Sequence, residues 1–167
     1  MATVSKGMQK AIGEQVNAEL YSAYLYLAMA GDFERQNLPG MAGWMRVQWQ
    51  EEIAHAMKFL HFVHERGGAV KLAAIAEPPA QWDSPLGAFE AAYEHETQVT
   101  TRIGELVNLA TKEKDHASVN FLQWYVAEQV EEEATADRIV QTLRQAGKTP
   151  GAVLMIDHHL GQRKAGS

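Results

Sequence analysis

Four long stretches of this sequence repeat apolar residues at helical spacing, and each is interrupted near its middle by residues a hydrocarbon core disfavours. From about Ser5 to Gln36 the stripe reads Ile12, Val16, Leu20, Ala23, Leu27 and Ala30, with Glu19 and Tyr26 falling in it. A second stretch, from about Met41 to Arg66, carries Met45, Phe59 and Phe62 on one face and places Glu52 and His55 among them. Glu and His three residues apart share a helix face. In a third stretch, running to about Lys112, Phe89, Ile103 and Ala110 stand at seven-residue multiples, and Glu96 occupies the missing member of the series. The fourth, from about Asp115 to Ala146, reads Leu122, Tyr125, Gln129, Glu132, Ala136, Ile139 and Leu143.

The breaks between these stretches constrain the topology. Asn37-Leu38-Pro39-Gly40 is short, so the first two helices are expected to be antiparallel neighbours. Gly67-Gly68 ends the second. Residues 68–84 contain Pro78 and Pro79, precede Pro85, and read as irregular. Seventeen extended residues reach about 55 Å, whereas a helix of about 26 residues is about 40 Å long. The connection is therefore long enough to travel the full bundle and let the third helix run parallel to the second. Ser84 and Pro85 suit a helix start, and Gly147 and Pro150 close the fourth helix. Val153-Leu154-Met155-Ile156, with Asp157-His158-His159-Leu160 after it, predicts a short fifth helix over about 151–162. The fold class expected is all-α, one domain over 1–167, with the bundle over about 5–146 and no internal repeat.

Composition narrows the function. The absence of cysteine excludes disulfides, thiolate zinc and cysteine-bound iron–sulfur centres. A net charge of -6 argues against a nucleic-acid surface and favours cations. No apolar run approaches the roughly 20 residues that span a bilayer, and Met-Ala-Thr-Val-Ser-Lys lacks the apolar core of a signal peptide, so a cytoplasmic protein without membrane or nucleic-acid partners is expected.

Glu19, Glu52, His55, Glu96, Gln129 and Glu132 form one convergent set if the four interruptions meet at the same depth. Helix bundles build di-metal sites in this way. Four carboxylates balance the charge of two divalent ions, and mostly oxygen ligands with one imidazole suit iron or manganese. The chemistry expected is oxidation of two Fe(II) by O2 or peroxide. Tyr26, near Glu19 on the same helix, is placed to hydrogen-bond a ligand carboxylate. Glu51, Glu128 and Glu131 are rotated off the stripe, and spacing alone makes them a solvated acidic face.

Asn17-Ala18-Glu19-Leu20-Tyr21-Ser22, Gln50-Glu51-Glu52-Ile53-Ala54-His55, His95-Glu96 and the block from Asn120 to Glu133 resemble the non-haem bacterial ferritins. The resemblance covers nearly the whole chain, including the crossover and the final short helix. It implies a ferritin-like four-helix bundle in which Glu19, Glu52 and His55 hold one iron. Glu52, Glu96 and Glu132 would hold the second, Glu52 bridging and Gln129 close by, and Tyr26 would stand beside the site as a catalytic residue with Glu52 and His55. The resemblance also turns Glu51, Glu128 and Glu131, with Glu132, into a third iron position. It implies ferroxidase activity, storage of ferric mineral and a homo-oligomeric shell of twenty-four subunits. Haem is not expected: bacterioferritins carry a second Glu-x-x-His where this chain has Gln129-x-x-Glu132, and Met57 is displaced from the expected haem-binding position. His158 and His159 resemble a short helix lining a shell channel, while interface or solvated histidines are an equal reading; His61, His64, His95 and His116 receive no role. The alternative functions are a di-metal redox or peroxide-detoxifying enzyme without mineral storage, and a metal-free helical interaction protein.

Overall fold

The computed structural model describes residues 3–166, and among these residues five helices and no strand are present. Helix α1 (Lys6–Arg35) begins where the Ser5 hydroxyl accepts from Met8 N at 3.0 Å. The chain then turns through Asn37, whose φ of 57° lies in the left-handed region that Asn tolerates better than most residues. Pro39 and Gly40 are not part of the break, as their composition suggests; they form the first turn of α2 (Pro39–Glu65). Proline at this position loses no helical hydrogen bond, because the first amides of a helix have no partner within it.

The cap of α2 comes from far along the chain. Leu38 offers no side-chain acceptor, and Asp157 Oδ1 instead accepts from Met41 N at 2.7 Å. Asp157 belongs to α5 (Pro150–Leu160), which packs across the start of α2. That contact requires glycine at position 40, where a Cβ would lie 1.8 Å from the Asp157 carbonyl oxygen. The fifth helix is therefore one residue earlier at its start, and two earlier at its end, than the sequence pattern suggests.

The irregular segment after α2 travels the bundle as its length permits. Ala69 N donates to Gln9 Oε1, Asn17 Nδ2 to the Ala74 carbonyl, and Trp82 N to Asp32 Oδ2. These anchors on α1 run from residue 9 to residue 32, about 35 Å at 1.5 Å per residue. Helix α3 (Pro85–Lys112) thus starts at the same end as α2 and runs parallel to it, with Ser84 Oγ accepting from Gly87 N. Helix α4 (His116–Ala146) returns alongside α3, capped by Asp115, whose carboxylate also pairs with Arg66 at 2.7 Å. The result is a four-helix bundle with a long crossover and a short fifth helix.

Two apolar clusters fill the bundle. One, near the α2 start, gathers Met29, Phe33, Met41, Phe89 and Leu143 with Leu160 from α5. The other, at the opposite end, gathers Met8, Ile12, Phe59, Ile103, Leu122 and Tyr125, with Phe59 and Tyr125 stacked at 4.0 Å. Leu27, read from spacing as part of the α1 stripe, is 39% exposed beside the exposed Tyr24. A straight α-helix drifts by about 20° per seven residues, so over a helix this long the buried face passes instead through Leu25, Met29 and Phe33. Between the two clusters lies a polar layer.

Candidate metal centre

All four bundle helices contribute to that layer. Glu19, Glu52, His55, Glu96, Gln129 and Glu132 are each at most 7% exposed. Their side chains point inward because each occupies the apolar stripe of its own helix, so packing of the flanking hydrophobic turns drives them into the centre.

Glu19, Glu52 and His55 place one ligand atom each within 4.8 Å of one another. His55 Nδ1 lies 3.5 Å from Glu52 Oε2 and 4.0 Å from Glu19 Oε2. These spacings are too long for good hydrogen bonds and suit donors around a cation, whose oxygen and nitrogen ligands sit about 2.0–2.2 Å from it. Glu19 Oε2 is fully buried and accepts no hydrogen bond. An unpartnered buried carboxylate oxygen is expensive in a folded protein, and a cation between these groups would satisfy it.

The other carboxylate oxygens are held in place. Gln15 Nε2 donates to Glu19 Oε1 at 2.7 Å, Gln48 Nε2 to Glu132 Oε2 at 2.9 Å, and Gln129 Nε2 to Glu96 Oε2 at 3.1 Å. Tyr26 donates its hydroxyl to Glu96 Oε1. Gln15 and Gln48 escape the sequence reading, although each stands four residues before a stripe carboxylate, the spacing that places two side chains on one helix face. Tyr125, which the stripe presents as core, donates to the His55 carbonyl at 2.8 Å, and the Trp124 ring meets the imidazole edge-on at 5.4 Å.

So many acids in one dry layer resist ionisation. Burial, reinforced by Glu96, Glu19 and Glu132, pushes the Glu52 carboxyl well above its ordinary range. Burial likewise lifts Glu132 to about 8, with Glu96 adding to the rise and the Gln48 hydrogen bond opposing it. Glu96 rises only to about 7, because the Tyr26 and Gln129 hydrogen bonds favour its charged form against burial. Tyr26, buried beside Glu96, stays firmly a phenol. The layer is therefore short of cationic charge at neutral pH.

A second group of donors adjoins the first. His55, Glu128 and Glu132 also offer atoms within 4.8 Å of one another, with Glu128 half-buried. Glu51 and Glu131 line the same cavity of about 780 Å3 with Glu128 and Glu132, but Glu131 is exposed and Glu51 is ion-paired to Arg163 at 2.6 Å. Spacing on the helices alone cannot reveal that pair, which joins α2 to the tail after α5.

The remaining histidines divide. His61, His64, His116, His158 and His159 are exposed, and His159 borders the cavity. His95, given no role from sequence as a surface or edge residue, is half-buried between α1 and α3, with its Nε2 2.6 Å from Ser22 Oγ. Burial and the charge of Arg102 hold its imidazole down to about 4, so the ring is neutral. Met57 projects from α2 and is 55% exposed.

Comparison with known proteins agrees with this architecture. A family profile described as a Ferritin-like domain matches residues 9–146. A "Bacterial non-heme ferritin" of Bacteroides fragilis is 44% identical over 160 residues, covering 96% of this chain and 99% of that protein. One of Campylobacter jejuni is 35% identical over 157 residues, covering 94% of each. Among solved structures, an open pore ferritin from the archaeon Archaeoglobus fulgidus superposes with a TM-score of 0.96 at 59% identity, covering 97% of this chain and all of that one. An engineered closed form of the same ferritin gives the same score and identity. With a buried tetracarboxylate layer at the middle of a crossover bundle and relatives aligned along nearly its whole length, the chain belongs to the ferritin family, alongside the bacterial non-heme ferritins.

Proposed function

We propose that this protein is an iron-storage ferroxidase that takes Fe(II) as its substrate, oxidises it within the bundle and keeps the ferric product as mineral inside a hollow homo-oligomeric shell. The observation that carries the reading is the unpartnered Glu19 Oε2, buried beside Glu52 and His55 at cation-ligand spacing. In this reading Glu19, Glu52 and His55 hold one Fe(II). Glu52, Glu96 and Glu132 hold a second, with Glu52 shared and Gln129 beside it. Glu128, Glu131, Glu132 and Glu51 take a third as iron leaves the pair. Two irons surrender one electron each, reducing O2 to peroxide or peroxide to water, with protons drawn from solvent.

The chain's own groups set the conditions for that chemistry. Gln15, Gln48 and Gln129 fix one oxygen of three carboxylates, and Tyr26 fixes one more on Glu96. Donors held in this way orient ligands without moving when charge arrives. Binding of iron displaces protons from Glu52, Glu96 and Glu132. The apolar clusters on either side exclude bulk water from the pair. The whole chain, 1–167, acts as one such unit, twenty-four copies form the shell, and the assembly works in the cytoplasm; among the described residues no helix is long and apolar enough to cross a membrane.

The test is aerobic addition of Fe(II) to the purified apoprotein, following ferric absorbance and iron retained after desalting. Oxidation above the protein-free rate with retained iron is expected, and a Glu52→Ala, His55→Ala double variant should assemble yet lose the fast phase. Particle size separates storage from a di-metal enzyme without mineral: a monomer or dimer carrying no iron core would reject the storage reading.

A further inference from the structure

Arg163 lies three residues beyond the end of α5, and its side chain folds back into the cavity between α2, α4 and α5. Its Nη2 pairs with Glu51 Oε2 at 2.6 Å, and its guanidinium carbon sits 4.5 Å from the centre of the Trp44 ring. The other terminal nitrogen, Nη1, is fully buried and makes no hydrogen bond. An arginine does not lose its charge in a protein, so this is a permanent cation with unused donor capacity, placed on a wall shared with Glu128, Glu131 and Glu132. Its charge already reaches Glu132, where it opposes the rise caused by burial. The backbone that carries it is pinned by Asp157 on the α2 start and by the buried Leu160, so the side chain is aimed at the acidic wall by its own docking contacts.

We infer that Arg163 is a tethered counter-ion of the third cation position, holding Glu51 away from metal until an arriving cation displaces it. The inference rests on the reading of Glu51, Glu128, Glu131 and Glu132 as a third metal position. A divalent ion approaching that position meets two obstacles from one residue: a like charge a few ångströms away, and a ligand already paired. The contact therefore weakens metal holding beyond the central pair. That favours onward passage of iron over its arrest at the third position, while Glu19, Glu52 and His55 do not line the cavity that Arg163 enters.

The experiment is calorimetric titration of the assembled apoprotein with Zn(II), which does not change oxidation state. In the wild type a weak component beyond the central pair is expected. Removing the charge in Arg163→Gln should tighten that component about tenfold, the scale of one modest interaction in a binding constant, whereas Arg163→Lys should stay near the wild type. In a Glu51→Ala background the gain from Arg163→Gln should shrink, since only the like charge is then relieved and no paired ligand is freed. Circular dichroism and particle size check that the tail substitution leaves the fold and assembly intact, and where the glutamine variant alters them Arg163→Met removes the same charge while keeping a stem to pack on Trp44. An unchanged weak component in Arg163→Gln, together with its loss in Glu128→Ala, would overturn the role of Arg163 while the third position stands. A component indifferent to Glu128→Ala in both backgrounds would overturn the third position and this inference together.

Discussion

Across the contact between α1 and α3, the buried Tyr26 hydroxyl donates to Glu96 Oε1, joining residues 70 positions apart in the layer that divides the two apolar clusters. The bond matters because Glu96 has few other ways to support a charge: among the described residues Gln129 is its other side-chain donor, and burial works against ionisation. Tyr26→Phe keeps the ring and removes the donor. Metal affinity or oxidation rate should fall about 10–100-fold, as when a group supporting a metal ligand is lost. Stopped-flow ferric absorbance across Fe(II) concentrations measures it; an unchanged rate and affinity would refute a supporting role for Tyr26.

Glu52 faces Glu96, Glu19 and Glu132 at once, and each adds to the effect of burial in raising its carboxyl above the ordinary range. Glu52→Gln removes the ionisable carboxyl while keeping its shape. The apoprotein should gain about 1–3 kcal/mol, the scale of relieving one poorly partnered buried polar group, and the variant should lose rapid Fe(II) oxidation. Denaturant melts of the apo forms, paired with oxidation assays, give both signs. A destabilised apo variant would contradict that crowding.

Glu96 and Glu132 hold protons up to about 7 and about 8, against an ordinary carboxyl value near 4.5. The folded apoprotein therefore binds more protons than the unfolded chain between those values. The stability these groups contribute is complete below the ordinary carboxyl value and is lost as pH rises through 7 and 8. Thermal melts of the apoprotein should fall across that window. With divalent metal bound, the same carboxylates are compensated, the fall should flatten, and metal addition at pH 7 should release protons, measurable in weakly buffered solution.

Gly40 and Asp157 bring α2 and α5 to near backbone contact. Gly40→Ala drives a methyl into the Asp157 carbonyl, which neither backbone can easily yield, so the penalty should reach the upper part of the about 1–3 kcal/mol typical of overpacking. Asp157→Ala should remove only the cap on Met41 N, about 1 kcal/mol. Melting temperature ranks the two, and hydrogen exchange should show α5 amides opening first in Gly40→Ala.

The helices and the residues they turn inward were legible without coordinates, because helical periodicity is a local property and an acid in an apolar stripe announces itself. Glu19, Glu52, His55, Glu96, Gln129 and Glu132 lie in one layer for that reason, since each rides on a face whose neighbours are hydrophobic. The long crossover was legible too, from chain length against bundle length. Pro39 and Gly40 misled because their composition says break, while their place at a helix start is decided by Asp157 more than a hundred residues away. The partners of the layer were decided only in three dimensions. Gln48 serves Glu132 across 84 residues, His95 meets Ser22 across 73, and Arg163 takes Glu51 across 112. None of these pairings leaves a periodic trace, because a hydrogen bond between two helices depends on how they are rotated and shifted against each other. Sequence determined which groups enter the centre of this protein; packing decided which of them hold one another, and which carboxylate oxygen is left unpartnered beside the imidazole.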